Sequence, residues 1–275
     1  LLEALAFVPP YTDLGYAEKL DRTYLRSDIV FVTGRFRSGS TLLWNLFRNI
    51  PSVTAYYEPF NERRWFDPST RGTRIDSTHL NISEYWSEYE GLKILSDYYH
   101  EDWICKQLYM SPQTWNSKMQ RYIEVMIENA KGHPVLQFNR VDLRLSWFRT
   151  RFPRAKIVHI FRHPRDQWCS TLTDIKRFSK AHKLYDFEPF DNYYLLMWGR
   201  DLKHYFPFLT LDSDTSPYEL FYQIWKLSYI FGRLYSDISI SFEELLHKPD
   251  FIIKDMLATC LVDEFDLDKL VSLVK

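Results

Sequence analysis

Short apolar runs alternate along the chain with longer stretches in which apolar residues recur every three or four positions. The runs Ile29–Thr33, Val53–Tyr57, Val135–Phe138, Ile157–Phe161 and Ile238–Ser241 predict strands. Most are continuous apolar blocks, the pattern of strands covered on both faces. The helices between them are well punctuated. Ser111-Pro112 predicts an N-terminus and Gly132 a stop around Met119, Tyr122, Ile123, Met126 and Ile127. Ser216-Pro217 opens another helix, whose stripe of Leu220, Ile224, Leu227 and Phe231 ends at Gly232. Strands separated by helices predict an α/β fold, a central parallel sheet with helices on both faces. No repeat and no Ser/Gly/Pro linker divides the chain, so residues 1–275 read as a single domain. Residues 61–110 are rich in aromatics and weakly periodic, which predicts 61–135 as an insertion over one end of the sheet.

Composition narrows the function more than the fold. At 45% hydrophobic and 26% charged residues, the 275-residue chain is globular and neither disordered nor collagen-like. A net charge of −1 excludes a global basic surface for nucleic acid. No apolar run reaches the roughly 18–20 residues of a membrane span, and no signal peptide opens the chain. The expectation is a cytoplasmic protein, although a start on Leu1 leaves room for a removed targeting segment. Cys105, Cys169 and Cys260 are widely spaced and odd in number, giving neither a disulfide framework nor a zinc site. Locally the charge is uneven. Residues 140–165 carry eight cations (Arg140, Arg144, Arg149, Arg151, Arg154, Lys156, Arg162, Arg165) against Asp142 alone. A positive segment on a neutral protein points to a small polyanionic ligand.

The first predicted strand runs directly into Gly34-Arg-Phe-Arg-Ser-Gly39-Ser40-Thr41, and helical spacing continues at Leu42, Leu43, Leu46 and Phe47. Gly34 and Gly39, two of only eight glycines, fall within six residues, so the backbone there must turn tightly or approach something closely. Strand, glycine loop and helix N-terminus form a geometry that presents free N–H groups to an anion. The spacing is P-loop-like, but Ser40 stands where the nucleotide-binding lysine of G-x-x-x-x-G-K-[ST] belongs. Arg37, with Arg35 beside it, is the available cation. The strand Ile157–Phe161 ends in Arg162 rather than the Asp that would hold Mg²⁺, so the expectation is a phosphate ester handled by arginines, without a metal.

The second motif is Arg162-His-Pro-Arg-Asp-Gln-Trp-Cys-Ser170 at the carboxyl end of a strand, where open α/β sheets bind ligands. Together the motifs resemble the sulfotransferases that use 3′-phosphoadenosine 5′-phosphosulfate (PAPS). Arg37-Ser-Gly-Ser-Thr41 is similar to their 5′-phosphosulfate loop in its arginine form. Arg162-x-Pro-x-x-x-x-x-Ser170 is similar to their 3′-phosphate site, and Ser241-Phe-Glu-Glu-Leu-Leu with Pro249 resembles their late Tyr-Glu-Asp-Leu stretch. The three lie in family order across residues 29–260. Residues 61–135 match no part of that pattern, and the family's C-terminal Gly-rich segment is not recognisable.

The resemblance implies sulfuryl transfer from PAPS to a hydroxyl or amine of a small-molecule, glycan or lipid acceptor. It assigns the loop N–H groups of Ser38, Gly39, Ser40 and Thr41, with Arg35 and Arg37, to the 5′-phosphosulfate. Arg37 would also neutralise charge on the bridging oxygen. Arg162 and Ser170 would hold the 3′-phosphate, and residues 61–135 would form the acceptor site or a lid. The candidate general base is Glu58, at the end of the strand after the loop helix, kept ionised by Arg37. Glu62, His79, His100 and His163 are alternatives, while His159, inside a strand, reads as a core histidine. Tyr56, Tyr57, Phe60, Trp65, Trp86 and Trp103 could stack on an acceptor. A single glycosylation sequon, Asn81-Ile-Ser83, occurs. Two other classes share the geometry. A P-loop kinase or other phosphotransferase is opposed by the missing lysine and strand-end Asp. A non-catalytic nucleotide-binding module is opposed by Arg37 and Arg162.

Overall fold

The computed structural model describes residues 24–76, 78–79, 82–172 and 183–274; Asn81 of the sequon lies outside them. Five strands form one sheet: β1 (Val30–Thr33), β2 (Val53–Tyr57), β3 (His133–Phe138), β4 (Lys156–Phe161) and β5 (Ile238–Ser241). Their order is β2-β3-β1-β4-β5, and every pairing is parallel. The described helices, in chain order, are α1 (Ser40–Arg48), α2 (Ser117–Asn129), α3 (Leu145–Arg151), α4 (Pro164–Thr171) and α5 (Leu184–Phe187). After these come α6 (Leu195–Leu202), α7 (Pro217–Tyr235), α8 (Phe242–His247), α9 (Pro249–Thr259) and α10 (Leu267–Ser272). None is long and apolar enough to cross a membrane.

Each strand starts within two residues of the position that its apolar run predicts. Val30, Phe31, Val32 and Thr33 are all 0% exposed, so both faces of the sheet are covered at β1. Burying a large apolar side chain contributes roughly 1.5–3 kcal/mol. Phe31 is edge-on to Phe148 of α3 at 4.9 Å and to Phe152 at 5.2 Å. That triad fixes α3 against the middle of the sheet. β3 begins earlier than expected, at His133, with Pro134 opposite Thr54. A proline is tolerated there because it falls at the start of the strand. A second apolar cluster joins Leu195, Leu196, Trp198 and Leu202 of α6 to Leu220, Ile224 and Leu227 of α7.

Two helix boundaries differ from expectation, each for a local reason. Ser111-Pro112 does not open α2. Its hydroxyl meets that of Thr114 in a turn, and Asn116 caps the helix instead, accepting the Met119 N–H at 3.0 Å. Gly232 does not end α7, which continues to Tyr235. There the missing side chain makes room for His159, since a Cβ would overlap its imidazole. His159 is 1% exposed, is hydrogen-bonded through Nδ1 to Ser239 Oγ at 2.7 Å, and is pushed down to about 3 by burial and then by Arg233. It is a core residue, as its place in the strand predicts.

An exposed mid-helix Gly→Ala change ordinarily stabilises by about 1 kcal/mol. Here Gly232→Ala should instead destabilise, by roughly 1–3 kcal/mol from overpacking against His159. Urea unfolding of the variant checks this, and an unchanged or raised midpoint would refute the packing.

Candidate active site

Because all five strands are parallel, their carboxyl ends lie along one edge of the sheet, and a cleft of about 720 Å³ opens there. Every strand supplies it with a residue at or just past its end: Arg37 and Gly39 after β1, Glu58 after β2, Asn139 and Arg140 after β3, Arg162 after β4, and Phe242 after β5. The segment after β2 closes one side with Asn61, Glu62, Trp65, Asp76, His79 and Tyr85.

The loop between β1 and α1 depends on its two glycines. A Cβ on Gly34 would stand 2.7 Å from the Ile160 carbonyl of β4. Gly39 adopts φ 97°, and a Cβ there would overlap the Phe242 ring. This backbone path leaves α1 without a side-chain cap. The Gly39 carbonyl accepts from Leu42 and Leu43, but the amides of Gly39, Ser40 and Thr41 have no protein acceptor among the described residues. Three free N–H groups at a helix N-terminus, facing a cleft, are of the kind that suits an anion. Thr41 is oriented by a 3.1 Å hydrogen bond between its hydroxyl and that of Tyr57.

Arg37, also at positive φ (65°), turns its guanidinium across the cleft. Its Nε donates to Ser170 Oγ at 3.0 Å and Nη1 to Thr78 Oγ1 at 3.0 Å, with Asp76 at 3.6 Å. Arg37 and Ser170, 133 residues apart in sequence, are therefore in direct contact. Arg162 lines the same cleft and lies over the Phe242 ring at 4.9 Å. Phe242 thus touches both the glycine loop and the second arginine.

Glu58 is only 8% exposed and adopts φ 39°. Its carboxylate accepts from Asn139 Nδ2 at 2.5 Å and from Asn61 Nδ2 at 2.6 Å, and Arg140 Nη1 lies 3.5 Å away. Burial raises its pKa above the usual glutamate range; Arg140 and the Asn61 hydrogen bond pull it back down, and Glu62 pushes it up again. A carboxylate that is buried, oriented by two amides and open to a cleft is equipped to take a proton.

Several expected site residues are placed differently. Arg35 does not reach the cleft. It is 6% exposed, bonded to Asp142 at 3.4 Å and packed over Trp198 at 4.6 Å, because the loop turns it back into the interior. Ser38 is likewise turned inward, and its amide is occupied by the Arg35 carbonyl at 3.1 Å. The cation beside Glu58 is Arg140 and not Arg37, because the end of β3 lies between those of β2 and β1. Among the alternative bases, Glu62 and His79 line the cleft, whereas His100 and His163 do not. His79 is held to Tyr85 at 2.6 Å, and burial lowers its pKa. Of the six aromatics proposed to stack, only Tyr57 and Trp65 line the cleft.

The positive segment is mostly structural. Arg144 is fully buried with four backbone carbonyls around it, at 2.9–3.0 Å, and burial lowers it to about 10. Arg149 holds Asp237 at 2.6 Å. Of the eight cations only Arg140 and Arg162 line the cleft. The residues missed from sequence are Asn61, Asn139 and Arg140, with Asn192, Tyr193 and Tyr194 also lining the cleft. Asn139-Arg140 was findable by the rule that found Arg162, since it comes directly after a strand. Asn61 and the tyrosines carry no such signal.

A family model described as "Sulfotransferase family" matches residues 29–222. No curated protein matches the chain. Among solved structures, the chain is similar to a sulfotransferase from Alicyclobacillus acidocaldarius at 19% identity and TM-score 0.44, over 88% of this chain and 85% of that one. It is similar to sulfotransferase STF9 from Mycobacterium avium at 12% identity and TM-score 0.47, over 96% and 69%. Sulfotransferase STF1 from Mycobacterium tuberculosis H37Rv aligns at 15% identity and TM-score 0.45, over 94% and 74%.

The raised pKa of Glu58 has a sign in stability. The folded state holds this proton to higher pH than the unfolded chain does, so the contribution is full below the ordinary glutamate range. It is lost as pH rises through the folded pKa. Glu58→Gln should therefore gain stability relative to the wild type as pH rises from about 4 to 7. Melting temperatures of both proteins across that range check this, and a constant difference would show that Glu58 titrates normally.

Proposed function

We propose, from the premise that this chain belongs to the sulfotransferase family, that it moves the sulfuryl group of PAPS to a hydroxyl or amine of a small-molecule, glycan or lipid acceptor. One observation supports the donor above all. The cleft is lined, on adjacent strands, by two sets of donors that suit anions, the free amides at the start of α1 and Arg162 at the end of β4. A nucleotide phosphorylated at both ribose ends would use both; a 5′-monophosphate would use one.

On this reading Gly39, Ser40 and Thr41 hold the 5′-phosphate through backbone N–H groups. Arg162, with Ser170, takes the 3′-phosphate. The acceptor's hydroxyl or amine lies near Glu58, which receives its proton as the lone pair attacks sulfur. The bond from sulfur to the bridging oxygen breaks, and that oxygen leaves with adenosine 3′,5′-bisphosphate. Arg37 lies by the loop and neutralises the charge building on it. Preorganised cations matter most where charge develops, and here arginines supply them, so the reading includes transfer without a divalent metal. The wall formed by Asn61, Glu62, Trp65, Asn192, Tyr193 and Tyr194 is the acceptor side.

Adenosine 3′,5′-bisphosphate should bind much more tightly than AMP, and Arg162→Ala should erase most of the difference. Charge-assisted hydrogen bonds contribute roughly 1.5–3 kcal/mol, so the expected loss is on the order of tenfold or more. Calorimetry giving equal affinities for the two nucleotides would end the PAPS assignment. Glu58→Gln should keep nucleotide affinity and lose roughly 10²–10⁴-fold in turnover, measured with labelled PAPS on a panel of sugars, lipids and phenols. If the variant retains turnover within about threefold of the wild type, well above what loss of a general base allows, the base is elsewhere, with Glu62 and His79 next.

A further inference from the structure

Among the described residues Arg140 is the one cation in contact with Glu58, and it is shared. Its Nη2 holds Glu62 at 2.7 Å while Nη1 donates to Asn139 Oδ1 at 2.8 Å and lies 3.5 Å from Glu58. The guanidinium is 1% exposed and sandwiched near Phe36 (4.9 Å) and Tyr194 (5.8 Å), so solvent does little to screen it. Its Nε has no hydrogen-bond partner among the described residues. The two carboxylates differ in setting. Glu58 is buried at 8% exposure, while the Glu62 side chain is 46% exposed. Three groups from two segments thus form a chain of charges, with the buried acid at one end and the half-exposed acid at the other.

Asn139 completes it. The same amide accepts from Arg140 through oxygen and donates to Glu58 through nitrogen, so the position of the arginine and that of the carboxylate are coupled through one side chain. The geometry points to Arg140 as a positioning residue that, divided between Glu58 and Glu62, sets the ionisation and aim of the base. Glu62 is then a tuning residue that draws part of Arg140 away from Glu58. The inference rests on the proposed role of Glu58. The other groups facing Glu58 are Asn61, Tyr57 on its own strand, and Tyr85, Tyr89 and Tyr193 from the packed segments; none is a cation, so Arg140 has no substitute among the described residues.

The two neighbours of Glu58 should act with opposite signs. An opposite charge within about 4–6 Å lowers a carboxyl pKa by roughly 1–3 units. Arg140→Gln should therefore move the acid limb of the kcat/KM profile up by about one pH unit or more. Activity lost at pH 7 should return at higher pH, and Arg140→Lys should lie between the two. Glu62→Gln should move the limb the other way, to lower pH, and its half-exposed position keeps the fold intact if Arg140→Gln does not fold. Unmoved limbs in Glu62→Gln and Arg140→Lys, or a limb raised by Glu62→Gln, would overturn the inference. The same shifts should appear when the Glu58 carboxyl is titrated directly by carbon-13 NMR, compared with Glu58→Gln for assignment. That titration separates the two ideas. If turnover survives in Glu58→Gln while the carboxyl still shifts with Arg140 and Glu62, the charge chain stands and the assignment of the base falls.

Discussion

Parallel pairing around β1 is the constraint on which everything else depends. β1 is flanked by β3 and β4 and completely buried. A strand with no exposed face or edge cannot slip in register without burying unpaired backbone groups. Once it is fixed, each parallel neighbour must end on the same edge, and the chain must leave that edge five times. The cleft is the space those five exits leave. Its chemistry is set by the residues just past each strand: a glycine loop, a glutamate, Asn-Arg, an arginine and a phenylalanine.

Two residues at these exits carry a backbone cost. Arg37 and Glu58 are non-glycine residues at positive φ. Such conformations cost of order 1–3 kcal/mol and persist only where the surroundings over-determine them. For Glu58 the surroundings are the two amides and Arg140; for Arg37 they are Ser170 and Thr78. Phe242 acts in the same way by contact. It packs where Gly39 lacks a side chain and beneath Arg162, so the glycine loop and the second arginine share one rigid neighbour.

The buried arginines show how misleading charge can be when read along the chain. Arg140 and Arg144 are four residues apart and both lie in the interior, yet one pairs with two acids while the guanidinium of the other hydrogen-bonds backbone carbonyls. Arg144 ties the segment before α2 to the turn before α3 through Gln107, Trp103 and Lys106, which is structural. Arg140 faces the cleft. The difference lies in where the chain turns after β3.

What the sequence determined by itself was local or periodic: five apolar runs as strands, the glycine loop, and the polar residues directly after those runs. These were legible because burial on both faces demands unbroken apolar blocks, and because a tight turn against a neighbouring strand demands glycine. The places of Arg162, Glu58 and Gly39 at strand ends facing the cleft could therefore be read without a structure. Which loop groups face the cleft could not: the sequence points Arg35 and the Ser38 amide at it, but the structure turns Arg35 inward and pairs that amide with the Arg35 carbonyl. Helix limits set by a competing cap, as at Asn116, or by a packing contact, as at Gly232, also escaped the pattern. Above all, only the tertiary structure decided which cation meets Glu58. Sheet order places β3 between β2 and β1, so the residue after β3 reaches the carboxylate and the loop arginine does not. Strand order is set by packing between segments far apart in sequence, and no local pattern encodes it.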